Sequence, residues 1–377
     1  LKTDMPPSYQ QDVPEEPTVS QEPATNWWAQ LSSDELDRLI GHALNNNFEI
    51  RSLAMEIEQE AASLSKIQSG FFPALGFSLG GSRRTTQSKP DSDSGTSTTG
   101  SHSWDAGLTG TYTPDIWNET GSEESAQAAR LMAARFDLIE SRLSVSAQVA
   151  QVWVDVISAR LQQTILDQQI KINQTLLDLQ KLRFSNGKAN ALDVSQQREA
   201  LASAASNRPL LERQELLSLN TLSFLIGQNQ AGPDLVQETE LPAPPPLPDT
   251  GIPAELLKNR PDVQAAMMRL RSSEWDISKA EADLFPSLTL TAQALFSSGD
   301  LDLLFNNWVA SLAASLAGQI FDGGRRQAEI RRVKAVARER TNNYARVVAS
   351  AIKSVEDSLV NIRKEKEYIR LLEEELE

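Results

Sequence analysis

The chain has 377 residues, no cysteine and two histidines, and its 51 acidic against 36 basic side chains give a formal charge of −15. Without cysteine there is no disulfide framework, thiolate metal site or cysteine nucleophile, two histidines leave little for an imidazole metal cluster, and the acidic balance speaks against nucleic acid as a partner. No run approaches the roughly 18 apolar residues of a membrane-spanning helix, although the short, alternating strands of outer-membrane barrels escape such a test.

Residues 1–32 read as an extended N-terminal segment. A helical pattern then leads to FFPAL (71–75), after which Leu75, Phe77 and Leu79 alternate with Gly76, Ser78 and Gly80, predicting a strand over 74–84. The stretch 83–103, RRTTQSKPDSDSGTSTTGSHS, reads as a long polar loop, and a second strand over 103–113 places Trp104, Ala106, Leu108 and Tyr112 on one face. From Ser122 to Phe184 there is neither proline nor glycine, and Val145, Val149, Val152, Val156, Ala159, Leu166, Ile170 and Leu177 recur at steps of three and four. That seam predicts a helical rod on the order of 90 Å. In the tip at 185–190, Gly187 suits the left-handed position after a helix and Asn190 an N-cap, with Asp193 three residues on. A returning helix is expected over 191–226, followed by a Pro-rich extended connector within 228–253.

A second series begins at 254 with a helix, then LFPSL (284–288), strands over 287–297 and 307–317, and a long helix from about 324 that is still in pattern at Glu377. Leu288, Leu290, Ala292, Ala294 and Phe296 share one face of the first strand, and Trp308, Ala310, Leu312 and Leu316 share one face of the second. Setting Pro73 on Pro286 aligns ALNNNFEIRSL (43–53) with LLKNRPDVQAA (256–266), and WDAGLTGTYTPDIWN (104–118) with WVASLAASLAGQIFD (308–322). The chain is therefore an internal duplication, 33–227 and 254–377, of one helix, strand, strand, helix module, far longer than a solenoid unit.

In each strand the face opposite the apolar stripe carries mostly Thr, Ser, Asp, Gln, Gly and Ala, with tryptophan at a boundary, as in transmembrane barrel strands. Four strands cannot close a barrel in lipid without leaving backbone groups unsatisfied. Two chains would give eight strands with a filled interior; three would give twelve and room for a lumen. Two other classes stay open on the residues alone: a soluble coiled-coil scaffold with a half-buried sheet, and a monomeric or dimeric outer-membrane adhesin or enzyme.

The order of WWAQLSSDELDRLIGHALNNN (27–47), the two FP segments, FSNGKANALDV (184–194), LPAPPPLPDTGIPAELLKNRPDV (241–263) and IFDGGRRQA (320–328) resembles the TolC-like outer membrane factors, most closely the OprM-like, NodT-type lipoproteins. The resemblance implies an α+β membrane protein. Long antiparallel coiled-coil hairpins would form a periplasmic α-barrel, and four strands per chain would complete a twelve-stranded β-barrel in a homotrimer. It implies an outer-membrane exit duct, not an enzyme and without cofactors, of a tripartite efflux pump, with a type I secretion or metal-ion efflux duct as the alternative. Partners would be outer-membrane lipid, a periplasmic adaptor protein and an inner-membrane transporter of RND type. An N-terminal lipid would sit on a cysteine not present in this chain, and a second hairpin tip with an acidic constriction would follow Glu377.

On this resemblance the adaptor would meet the tip at Phe184, Gly187, Asn190, Leu192, Asp193 and Val194. Leu75, Phe77, Trp104, Leu108, Tyr112, Leu288, Leu290, Trp308 and Leu312 would form the lipid-facing belt. Phe184 and Asn190 replace the Tyr and Ser usual at the tip, with Phe expected to staple the hairpin, and Asn118-Glu119 replaces a Gly-Arg pair, a departure that bears on the strand-to-helix bend. Arg260-Pro261-Asp262 reads as helix N-terminal chemistry, Glu123-Glu124 as a solvated helix face, and His42 and His102 as surface residues.

Overall fold

The structure is a computed structural model and describes residues 26–88, 97–230, 232–244 and 259–376. The N-terminal segment up to residue 25, most of the Pro-rich connector and the start of the second predicted helical series lie outside the described residues. The chain falls into two compact units, one made of residues up to 56, 135–263 and 348 onward, the other of 57–134 and 264–347. Each unit draws on both the N-terminal and the C-terminal half of the chain.

The first unit holds a 3-10 turn (Trp27–Leu31), α1 (Asp34–Asn46), the start of α2 (Phe48–Gln68), most of α3 (Glu119–Ser185), α4 (Ala191–Ser206) and α5 (Arg208–Leu225). Ser33 caps α1: its hydroxyl accepts from the Leu36 amide at 3.0 Å and donates to Glu238 at 2.6 Å. The predicted seam of α3 is inward, with Val145, Val149, Val156, Ala159, Leu166 and Leu177 buried and Val152 and Ile170 half-buried. Its stretch from Val145 to Val156 packs with Leu36, Ile40, Trp153, Ile157, Leu222 and Val236 into one core.

Two polar groups fasten the segment after α5 to that core. The buried Glu35 carboxylate accepts from Trp153 Nε1 at 2.9 Å and from the Gln237 amide at 2.7 Å. Arg160 reaches Glu215 at 2.7 Å, the Val236 carbonyl at 2.6 Å and the Pro233 carbonyl at 3.0 Å. This guanidinium and carboxylate thus replace the ladder that a proline-flanked segment lacks.

The single helix expected over 191–226 is two helices. Pro209 has no N–H to offer the Ala205 carbonyl, and the helix is interrupted at Asn207. Asn207 keeps φ −79 and ψ −20, so only hydrogen bonding is lost there, while the backbone stays in the right-handed helical region.

The second unit contains the four strands and the helix segments joined to them. After α2, a short 3-10 turn (Ser69–Phe71) delivers Phe72 at φ −113, ψ 152, the extended conformation imposed on a residue before proline. Pro73 then opens β1 (Ala74–Ser88), and farther along the chain Pro286 likewise separates α6 (Pro261–Ala282) from β3 (Ser287–Ser298). The repeated FP pair is therefore a helix-to-strand switch. Asp262 accepts from the Val263 amide at 2.8 Å and is gripped by Arg260, the N-terminal chemistry expected of that tripeptide. Glu123 and Glu124 are half-buried rather than solvated, paired with Lys279 at 2.8 Å and Gln68 at 2.8 Å.

With β2 (Ser97–Tyr112) and β4 (Trp308–Ala317), the sheet is an antiparallel meander in the order β1-β2-β3-β4. The polar stretch predicted as a loop over 83–103 is mostly strand: Arg83 to Ser88 pair with His102 to Ser97 in unbroken register. Threonine, being β-branched, is a good ladder residue, and with neither face apolar the hydropathy pattern carries no period to reveal this stretch.

Both strand-to-helix bends use left-handed backbone. Asn118 has φ 58, and the Asp115 carboxylate accepts from the Glu119 and Gly121 amides, each at 2.7 Å. At the second bend Gly323 and Gly324 have φ 66 and 86, and Asp322 accepts from the amides of Gly324 at 2.9 Å and Arg326 at 3.2 Å. α7 (Arg325–Leu376) follows. Asn118 thus fills a position needing positive φ with the non-glycine residue that tolerates it best.

Candidate membrane-facing sheet and hairpin tip

Register fixes which side chains share a face. Leu75, Gly110, Ala292 and Leu312 form one row across the four strands; Phe77, Leu108, Ala294 and Ala310 form the next; Leu79, Ala106, Phe296 and Trp308 the next. Tyr112 lies beside Leu290, and Leu288 beside Leu316, on the same face. The other face carries Ser78, Gly80, Asp105, Thr109, Thr111, Thr289, Thr291, Gln293 and Ser311, with Leu295 and Val309 its large apolar members, in the row of Ser78 and Gly107.

Two glycines confirm this sidedness. A Cβ on Gly81 would fall 2.5 Å from the Trp104 indole, so that ring lies across Gly81 on the apolar face. A Cβ on Gly80 would fall 2.7 Å from the Asp105 carboxylate, which covers the opposite face. The nine residues expected in the belt all lie on the one apolar face. Leu75 is 85% exposed, Phe77 86% and Leu312 83%, whereas Trp104, Tyr112, Leu288 and Leu290 are half-buried among their neighbours. An apolar sheet face this exposed marks a contact surface. β1 and β4 are edge strands in the described chain.

The hairpin tip is built from two helix caps. Gly187, at φ 69, donates to the Phe184 carbonyl at 3.0 Å, and Lys188 donates to Arg183 at 2.8 Å, the paired bonds of a Schellman end. Asn190 Oδ1 accepts from the Asp193 amide at 2.8 Å while Asp193 accepts from the Asn190 amide at 3.0 Å, a reciprocal capping box. Leu192 is exposed and Val194 half-buried. Phe184 is 50% exposed, so the turn is held by backbone bonds and not by the aromatic staple expected there.

Burial, with Asp283 close by, holds the Glu119 carboxyl above its ordinary value at the first bend, Lys279 offsetting part of the shift. No helix among the described residues is long and apolar enough to cross a membrane, and no group of three metal-binding side chains occurs among them. His42 and His102 are exposed, as expected. The sequence signals for Asp115, an acid just before a helix start, and for the continuation of the sheet past residue 84 and back through His102 went unread, although the parity of Arg83 with Leu79 was legible.

Comparison with known proteins gives a consistent picture. The family model described as outer membrane efflux protein matches residues 39–228 and 252–377. The pyoverdine export outer membrane protein OpmQ of Pseudomonas aeruginosa is 30% identical over 355 residues, covering 93% of this chain and 75% of that protein. The toluene efflux pump outer membrane protein TtgF of Pseudomonas putida is 29% identical over 358 residues, covering 91% and 71%. Among solved structures, the outer-membrane channel OprN superposes with a TM-score of 0.88 at 23% identity, over 98% of this chain and 82% of that one.

Proposed function

The chain belongs to the outer membrane efflux protein family, and from that premise we propose that three copies join edge to edge into the exit duct of a tripartite pump. It resides in the outer membrane, is not an enzyme and uses no cofactor. The observation that carries the proposal is the sheet: an apolar face continuous over four strands, a polar face behind it, and two unpaired edges. Each edge is satisfied only by another strand, and twelve strands leave a lumen where eight would be filled by side chains.

The height of the apolar face supports a transmembrane position. From Leu288 to the row shared by Ser298 and Trp104 the ladder climbs about 34 Å along the strand, or roughly 26 Å at a barrel tilt near 40°, close to the ~25 Å band of outer-membrane barrels. The nine belt residues then face lipid, and the row of Gly76, Thr109, Gln293 and Ser311 lines the lumen. The internal repeat supplies two strand pairs and two helical arms per subunit.

The tip at Phe184, Gly187, Asn190, Leu192, Asp193 and Val194 is the surface offered to a periplasmic adaptor, which couples the duct to an inner-membrane transporter. Relatives named for pyoverdine and for toluene support a duct that leaves cargo selection to the pump. The test is subunit mass in detergent, by light scattering with the detergent contribution subtracted. Three chains per particle are expected. A monomer soluble without detergent overturns the proposal, and a closed dimer overturns the lumen.

A further inference from the structure

The register extends the apolar face outward by one charged row. Beyond Gly81 and Trp104, the next pair on the same face is Arg83 and His102, directly opposite each other. Their Cβ atoms are therefore ~5 Å apart, close enough for both head groups to reach one anion. The row lies about 7 Å along the strand past the Trp104 level, where a lipid-facing side chain leaves hydrocarbon and meets head groups. Arg84 and Ser101, the neighbouring pair, belong to the opposite face. Farther out the ladder carries only Thr, Gly, Gln and Ser. The one acid within β1 and β2, Asp105, covers Gly80 on the other face. Asp300 and Asp302 belong to the turn after β3 (Leu301–Asn306 and the residue before it), which packs back against β2 and β3; a Cβ on Gly299 would lie 3.7 Å from the His102 carbonyl oxygen, so these acids flank the pair on the β3 side.

A chain of net charge −15 thus sets an arginine and a histidine side by side at the rim of its lipid-facing surface. We infer that Arg83 and His102 form a binding site for the phosphate group of an anionic membrane lipid, the guanidinium giving charge-assisted hydrogen bonds to the phosphate oxygens and the imidazole a further donor. The occupant is a lipid and not a free anion. The pair continues the apolar belt, so a ligand held there has acyl chains to lay over Leu79 and Trp104, while Phe296 beside them is packed edge-on by Phe305; a free phosphate has no such chains. This inference rests on the outer-membrane reading and adds a ligand class and a location to it.

The test uses the full chain placed in phosphatidylcholine vesicles doped with bisphosphorylated lipid A or with the same lipid stripped of its phosphates. Lipid retained after extraction is counted by native mass spectrometry. Wild type should retain the phosphorylated form about tenfold better. That preference should vanish in the R83Q/H102Q variant and survive in R84Q, whose charge lies one residue away on the other face. Equal retention of both lipids by wild type, an undiminished preference in R83Q/H102Q, or an equal loss in R84Q would each overturn the site. So would full displacement by an equal concentration of inorganic phosphate. Incorporation of every variant into pure phosphatidylcholine shows that the barrel itself is intact. If wild type fails to incorporate, the membrane reading falls and takes the site with it.

Discussion

Gly187 stands at φ 69 with nothing within 4 Å of where a Cβ would lie, so Gly187→Ala meets backbone strain without a clash. The expected cost is about 1 kcal/mol, felt at the tip alone, and the Lys188 amide should exchange with solvent roughly fivefold faster. Unchanged exchange at Lys188 would mean that the turn does not depend on its Schellman bonds. Glu35 is a different case, being buried with the Trp153 and Gln237 N–H groups converging on it and the Glu238 amide at 3.5 Å. Glu35→Ala strands the Trp153 and Gln237 N–H groups and should cost about 2–4 kcal/mol, whereas Glu35→Gln keeps a carbonyl oxygen and should cost less. Equal losses in a denaturant titration followed by tryptophan fluorescence would show that packing, and not the hydrogen bonds, sets the effect. At Glu215, burial alone would raise the carboxyl, but hydrogen bonds from Arg160 and Gln163 and the Arg160 charge outweigh it and hold the group below its ordinary 4.5. A lowered carboxyl stabilises the fold above its unfolded value and loses that contribution as pH falls through the folded one. The wild-type unfolding midpoint should therefore drop more steeply than that of Glu215→Gln below about pH 4.5.

At the scale of elements, Leu312 occupies a middle row of the apolar face and is bounded by Ala292 in the adjoining strand. Leu312→Arg should cost about 2–4 kcal/mol in lipid and sharply lower the fraction of chain that incorporates into vesicles, while Ser311→Arg on the polar face should incorporate normally. Similar behaviour of the two would reject the assignment of faces. The strands were legible because large and small residues alternate over them, and the rods because Val145 to Leu177 keep helical spacing without a breaker. What stayed hidden lacked a period or a local partner. Thr85, Thr86 and Thr98 to Gly100 extend the ladder with no apolar face to announce it. Trp153 and Glu35 meet across 118 residues of chain, a separation no spacing rule reaches. The break at Pro209 was not read from the sequence, and the unbroken right-handed backbone at Asn207 keeps the helical pattern running on both sides of it. The belt was readable as a set, since every member follows from strand parity, and the tip was readable from Gly187 and Asn190 alone. The exposure of Phe184 depends on tertiary placement and was not.

For the whole molecule, the absence of cysteine gives a clean background for crosslinking. Ser78→Cys in β1 combined with a cysteine at Ser311, Ala313 or Ser315 in β4 should form disulfides between chains and none within one chain, because β2 and β3 stand between those strands. A ladder of one, two and three linked chains on denaturing gels, without higher species, is the expected pattern. A link formed within one chain would mean that the sheet closes on itself.

The meander has one more consequence. Four is an even number, so the first and last strands run in opposite directions, and a neighbour laid against either border continues the up-down alternation without reversing orientation. An odd count would force a parallel seam wherever two molecules met. The unlike borders are mutually complementary, and each newly made molecule is sticky at both ends. Nothing in the pairing rule itself says when to stop adding copies, so the stopping number must come from the curvature of the sheet, and a flattened variant would grow into open ribbons.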